Sequence, residues 1–295
     1  MYFMTHKTKI STHFPYKKEL LEQIKKVLPL HSVYVISVYK ETKKQEIFLS
    51  PPCINPEKFI TYTLLIISHK PISINLGEFI YDLYNNMQQQ CKVYPIVYSL
   101  SDVLAKLDYG NAYLNRIVTQ TKCLYQENDA LAKFSGFRVC FHKSIYEQIQ
   151  TEWNCRMERA NYLLSIIDTN DIEEDPTSKL AVMHDALEQI CAALLYIFWE
   201  FKPHYYSLPY LLHLCSHFTQ LPQTVFPKKA FKSQRMFYIL CNAHQQMRES
   251  QNELSVMDAD KAYKLSERFY RKANNLGIKQ LEHLKELHYQ STNLQ

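Results

Sequence analysis

The chain has 295 residues, 46% of them apolar and 21% charged, which is enough to bury a core and leaves room for two domains. Its four glycines, Gly77, Gly110, Gly136 and Gly277, are too few and too scattered for a Gly-rich phosphate loop. The formal net charge of +5 permits an anionic partner, but the short basic clusters "HKTK" (6–9), "YKK" (16–18) and "KETKK" (40–44) are not the continuous stripe of a duplex binder.

In chain order, "YKKELLEQIKKVL" (16–28) carries Leu20, Leu21, Ile24, Val27 and Leu28 at helical spacing and ends at Pro29. "SVYVISVY" (32–39) is β-branched and aromatic and predicts a strand, which "EIFLSPP" continues or pairs with. "KFITYTLLIIS" (58–68) is a near-continuous apolar run, the pattern of a strand buried on both faces. A helix is expected over 75–91 and a third strand over 92–100, at a sheet edge because Pro95 cannot donate to a ladder. Residues 101–126 predict two short helices, with Ser101 or Asp102 as N-cap.

The composition changes near 130–143, and from Lys143 onward the pattern is helical. The expected helices cover 143–168, 176–201, 207–219, 230–251 and 257–288, with "DTNDIEEDP" and "QLPQTVFPKK" as loops. The last helix places Ala259, Ala262, Tyr263, Leu265, Phe269, Tyr270, Ala273 and Leu276 on one side. The domains are therefore drawn as residues 1–130, a linker at 131–142, and a helical domain at 143–290.

The eight cysteines form no Cys-x-x-Cys pair, which excludes a zinc knuckle, and they read as free, buried thiols of a reducing compartment. No apolar stretch has the form of a signal peptide, and the longest runs, "YTLLII" and "CAALLYIFW", are short of a bilayer span. The expectation is a cytoplasmic protein with no membrane contact, no metal and no cofactor. His213 and His217 have zinc-compatible spacing, yet no carboxylate or cysteine is spaced to complete the set.

The helical half resembles the HEPN family over nearly all of residues 143–290. The residues that carry this are "KLAVMHDALEQICAALLYIFWEFKPHYYSLPYLLHLC" (179–215), "FPKKAFKSQRMFYILCNAHQQMRESQNEL" (226–254) and "DADKAYKLSERFYRKANNL" (258–276). His184, Ala186, Leu187 and Glu188 match the start of the family's amphipathic helix, and Lys202-Pro203 its Lys-Pro. Its His-Asp-Leu reads Tyr206, Ser207, Leu208, so two polar groups are gone. The first half is similar to the minimal nucleotidyltransferase domain that often precedes HEPN, through "YVISVYKE" (34–41), "FITYTLLII" (59–67) and "YGNAYLNRIVTQTKCLYQ" (109–126). The resemblance implies an α+β protein: a mixed sheet flanked by helices, then an all-α bundle, with a homodimer formed through the bundle.

The chemistry of the first half departs from that family. Nucleotidyl transfer needs carboxylates on adjacent strands to hold metal ions against a triphosphate. Here the glycine position is Ile36 with Ser37 retained, and the two aspartate positions are Thr61 and Thr63. Hydroxyls cannot replace the charge that holds a divalent ion, so transferase activity is expected to be lost. Ser37 and Lys40, with Lys43 and Lys44, are candidates to hold phosphate at the relic site, or else a solvated hairpin.

Many HEPN proteins are metal-independent ribonucleases with an Arg-x(4–6)-His pattern across a dimer. Such a pair makes chemical sense: arginine stabilises the scissile phosphate and histidine moves protons. Arg248 sits where the resemblance places the arginine, but no histidine follows it at that spacing; His244 precedes it by four. The pair is either a catalytic couple, an anion-binding cleft or a wet surface. His184 and Glu188, also four apart, and Lys202 are candidates for the same cleft. The expected function is a non-catalytic nucleotide- or RNA-associated regulatory protein, as in toxin–antitoxin or stress systems. The alternatives are a ribonuclease using Arg248 and His244, and a protein-interaction scaffold.

Overall fold

In a computed structural model the described residues are 14–42, 58–71, 73–136, 139, 141–169, 175–227, 231–249 and 254–290. "EIFLSPP", "HKTK", Lys43, Lys44 and Cys53 lie outside them. Two compact units are present, Met1–Val139 and Cys140–Gln295. The first is a mixed β-sheet with flanking helices, the second a bundle of long helices.

The first unit opens with α1 (Lys17–Val27), which buries Leu20 and Ile24 and ends in Lys25 and Lys26, cations at the negative end of the helix dipole. Then follow β1 (Leu30–Thr42), β2 (Lys58–Ser68), α2 (Leu76–Asn86), β3 (Cys91–Ser99), α3 (Leu100–Asp108), α4 (Ala112–Gln120) and β4 (Lys122–Gln126). The sheet order is β3-β2-β1-β4. β2 runs antiparallel to β1 and parallel to β3, so α2 serves as the crossover between parallel neighbours.

One face of the sheet meets α1 and α2 through Val33, Val35, Tyr62, Leu64, Ile66, Val93 and Val97. The alternating residues on the other face, among them Leu65, Ile67 and Ile96, are equally buried, with α3 and α4 against that side. This double burial is why β2 is apolar along its length. β3 is an edge strand, as Pro95 requires.

Several local expectations need correction. The 101–126 segment contains two helices but ends in a strand, β4, whose one buried residue, Leu124, gives little periodic signal. α3 is capped by Ser99, whose hydroxyl accepts from the Asp102 amide, rather than by Ser101 or Asp102. α2 stops at Asn86 because Gln88 and Gln89 take left-handed φ of 52° and 60°. Within 131–142, Leu131 is buried and is followed by a 3-10 turn (Ala132–Gly136) that buries Phe134 and packs on α4.

The second unit is built on α5 (Lys143–Thr169), α6 (Pro176–Trp199) and α11 (Val256–Gln290), which pack on one another. Between them lie α7 (Leu208–Cys215), α8 (Leu221–Val225), α9 (Phe231–Cys241) and α10 (Ala243–Gln246). α8 falls in a segment expected to be a loop: its proline sits in the first turn, where the missing N–H costs nothing. The single helix expected over 230–251 is two, broken at Asn242, whose side chain turns back to donate to the Tyr238 carbonyl at 2.9 Å.

α6 is the central helix, with buried residues around its whole circumference. Its most apolar 18-residue window has mean hydropathy 1.4, so by length and composition it could cross a bilayer, unlike the shorter runs apparent in the sequence. However, 72% of that window is buried within the unit, as for a core helix. Ala259, Ala262, Phe269 and Ala273 of α11 are buried as their periodicity predicts. α11 approaches α5 at Gly277, where a Cβ would stand 2.0 Å from Cη2 of Trp153. Cys91, Cys191 and Cys215 are free buried thiols, whereas Cys123 and Cys155 are exposed, against the expectation that all are buried.

Candidate functional site

The sheet positions are decided by register. A bulge between Val35 and Ser37 takes Ile36 out of the pairing and sets Ser37 opposite Thr63, and Tyr39 opposite Thr61. Ser37 Oγ donates to Thr63 Oγ1 at 3.1 Å, and Thr63 is fully buried. The retained serine and the second aspartate position are thus brought together, as two neutral hydroxyls. On the other side of β2, Thr61 pairs with Lys92 and Thr63 with Tyr94, so the neighbouring strand supplies a cation and a phenol where an acid would be needed. Lys92 Nζ lies 5.0 Å from the Tyr94 ring centroid. Lys40 is exposed towards the end of β1.

In the helical unit, His184, Glu188 and His244 converge, joined by Asp185. The break after α9 explains how. A helix leaves its last carbonyls without intrahelical partners. His184 Nδ1, from α6, donates to the Leu240 carbonyl at 2.7 Å, while its Nε2 bonds Glu188 Oε1 at 3.2 Å. Nδ1 faces a carbonyl and Nε2 a carboxyl group, an arrangement that the doubly protonated imidazolium satisfies. Burial alone would pull the His184 pKa down. The hydrogen bonds to Glu188 and Leu240 and the charges of Glu188 and Asp185 outweigh it, and the pKa is raised.

His244, on α10, packs edge-on against His184 with ring centroids 4.7 Å apart, and its Nε2 bonds Asp185 Oδ1 at 2.8 Å. That dyad is open to water, its side chains 46% and 47% exposed. A histidine oriented by a carboxylate is chemically equipped to move protons. Arg248 lies beyond α10, in a turn closed by its amide on the Gln245 carbonyl, and is exposed. It stands outside the helix that carries His244, whereas 230–251 reads as one helix in the sequence. No ion pair of Arg248 is present among the described residues.

Lys202 is not part of this cluster. Its Nζ bonds Glu152 Oε2 at 2.8 Å, and Arg156 Nε takes the other oxygen at 2.7 Å. Arg156 also reaches Gln189 and the Tyr206 hydroxyl. Burial would raise the Glu152 pKa, but the bonds from Lys202 and Arg156 more than offset it and hold the carboxyl below its ordinary value. His217 spends Nδ1 on the His213 and Leu214 carbonyls, and burial lowers its pKa. Among the described residues no group of three or more His, Cys, Asp or Glu is placed to hold a metal.

Sequence reasoning missed Asp185 and the Leu240 carbonyl. The first was legible as a neighbour of His184. The second, a backbone group exposed by a helix break, has no sequence signal.

No protein-family profile matches the chain, and neither does any curated protein. Among solved structures, a nucleotidyltransferase-like protein from Exiguobacterium sibiricum matches over 90% of this chain and 76% of its own, at 11% identity and a TM-score of 0.28. None of these similarities points to a HEPN domain. At that score the functional reading rests on the residues themselves.

Proposed function

We propose that this protein is a non-catalytic nucleotide- or RNA-associated binding protein with a regulatory role, its sheet unit a relic of a transferase site. The observation that carries the loss of catalysis is the Ser37–Thr63 hydroxyl pair. It stands where metal-dependent transfer would need charge, and on β3 the residue opposite Thr63 is Tyr94 and the one opposite Thr61 is Lys92, neither of them an acid. A site of hydroxyls, a lysine and a phenol can hydrogen-bond a phosphate or a base but cannot hold two divalent ions against a triphosphate. The test is release of pyrophosphate from ATP or GTP with magnesium. The reading predicts none, together with a rise in melting temperature when nucleotide is added in EDTA; magnesium-dependent release would overturn it.

A second reading, a metal-independent ribonuclease, is favoured by the exposed His244–Asp185 dyad with Arg248 close in sequence. It predicts cleavage of single-stranded RNA in EDTA that His244→Ala and Arg248→Ala both abolish. RNA retained intact at low salt would instead favour the binding protein.

A further inference from the structure

A groove of about 410 Å³ opens on the helical unit between the end of α8, the start of α9 and the first three turns of α11 and their continuation to Arg268, and none of its lining residues belongs to the histidine cluster. Its size suits a small ligand. Four of its lining residues are cations: Lys232, Lys261, Lys264 and Arg268. Among the described residues no carboxylate lines it, and none of the four cations makes an ion pair. Of the acids along α11, Asp258 is paired with Arg235 and Glu267 with Arg271, while Asp260, beside Lys261 and one turn before Lys264, is exposed and makes no ion pair among the described residues.

Helical geometry puts these charges together. Lys261, Lys264, Leu265 and Arg268 stand at i, i+3, i+4 and i+7 on α11, a single stripe roughly 10 Å long. Lys232 faces it from the first turn of α9. Beneath the charges the floor is apolar: Val225, Phe226 and Met236 line the groove and are buried. Lysine and arginine stems commonly lie along apolar surface with their heads in water. Here like charges converge over an apolar slot, which costs repulsion that an anion would relieve. Phe231 precedes Lys232 in the chain and is 82% exposed, an aromatic face of the kind on which bases stack.

We propose that this groove binds a phosphate-bearing nucleotide unit, with the phosphate among Lys232, Lys261, Lys264 and Arg268 and the base against the apolar floor and Phe231. The proposal rests on the reading of the protein as a nucleotide or RNA binder and gives that reading a site. The same chemistry is offered by a free nucleotide and by one residue of an RNA strand, and the experiment separates them.

The test is fluorescence anisotropy of the full chain with a labelled mononucleotide and with a labelled single-stranded RNA, in EDTA, over a range of salt. The double substitution Lys264→Ala with Arg268→Ala changes exposed side chains, and its melting curve verifies the fold. It is expected to weaken binding by about tenfold or more and to make the salt dependence shallower, by about 0.7 in log–log slope for each strand phosphate that is no longer neutralised. Lys264→Arg with Arg268→Lys keeps the charges and should bind nearly as well. Binding of the mononucleotide as tightly as the strand identifies a nucleotide site; binding of the strand alone identifies RNA. Wild-type binding that the alanine pair leaves unchanged would overturn the groove and spare the broader reading. No binding of either probe by the wild type would overturn both.

Discussion

The two units handle polar groups out of water in opposite ways. In the sheet, charge is absent where β1 and β2 meet at Ser37 and Thr63, which face each other as two hydroxyls. In the helical unit, charge is kept and closed on itself. His184 is held between Glu188 and the Leu240 carbonyl, and Glu152 between Arg156 and Lys202. The neutral solution leaves little to lose, since removing one hydroxyl forfeits only neutral bonding. The paired solution is fragile in a different way: deleting His184 or Glu188, whose side chains are 8% and 13% exposed, strands a largely buried charge, whereas Lys202 stays open to water.

The largest effect should therefore follow from His184→Ala. It leaves Glu188 without its cation and the Leu240 carbonyl without a donor, and opens a cavity beside α6; a loss of about 4 kcal/mol in urea unfolding is expected. The pH dependence adds a sign. A histidine whose folded pKa is raised contributes stability that is fully present below its ordinary value near 6.5 and is lost as pH rises through the folded value. His217 and His288, both lowered chiefly by burial, act oppositely: their contribution is present above that value and lost as pH falls. Glu188→Gln should flatten the alkaline decline and leave the acid side unchanged, the slope from one proton never exceeding about 1.4 kcal/mol per pH unit. An unchanged alkaline limb would mean that His184 is not charged in the fold.

Packing, rather than charge, sets the next effect. Gly277→Ala forces a methyl into the space of the Trp153 ring, itself buried. Alanine is the better helix former by about 1 kcal/mol, but the overlap should win and cost about 3 kcal/mol net. A neutral or stabilised variant would show that α5 and α11 can separate cheaply there. On the sheet, Thr63→Val should cost only about 1 kcal/mol, the worth of a neutral hydrogen bond, and the same amount at any pH from about 5 to about 8. A loss as large as that of His184→Ala would break the contrast between the units.

How much of this was legible in the sequence follows the same division. The strand pattern of β2, the edge position forced by Pro95 and the long helices were readable because burial imposes a period on the residues themselves. β4 was not, since a half-exposed strand with one buried leucine has no period to show. The break at Asn242 was not either: "CNAHQQMR" contains no proline or glycine, and what ends α9 is a side chain folding back on Tyr238 together with a histidine 56 residues earlier that takes up the freed Leu240 carbonyl. The same limit hid the basic groove. The α11 cations have helical spacing, but their meeting with Lys232 over an apolar floor is a product of tertiary packing.

The smallest expected effect bears most directly on function. His244 and Asp185 form their pair in water, each nearly half exposed, so Asp185→Asn should change stability by less than about 0.5 kcal/mol. That indifference makes the substitution a clean probe, because any change in RNA handling cannot be ascribed to unfolding. If the dyad moves protons, the amide removes the group that orients the imidazole, and cleavage in EDTA should fall while binding persists. If the protein only binds, Asp185→Asn should leave affinity and salt slope as they are, and the groove substitutions alone should move them. A loss of stability well above about 1 kcal/mol would instead mean that the pair props the α6–α10 contact, and that the exposed histidine belongs with His184 as part of the scaffold.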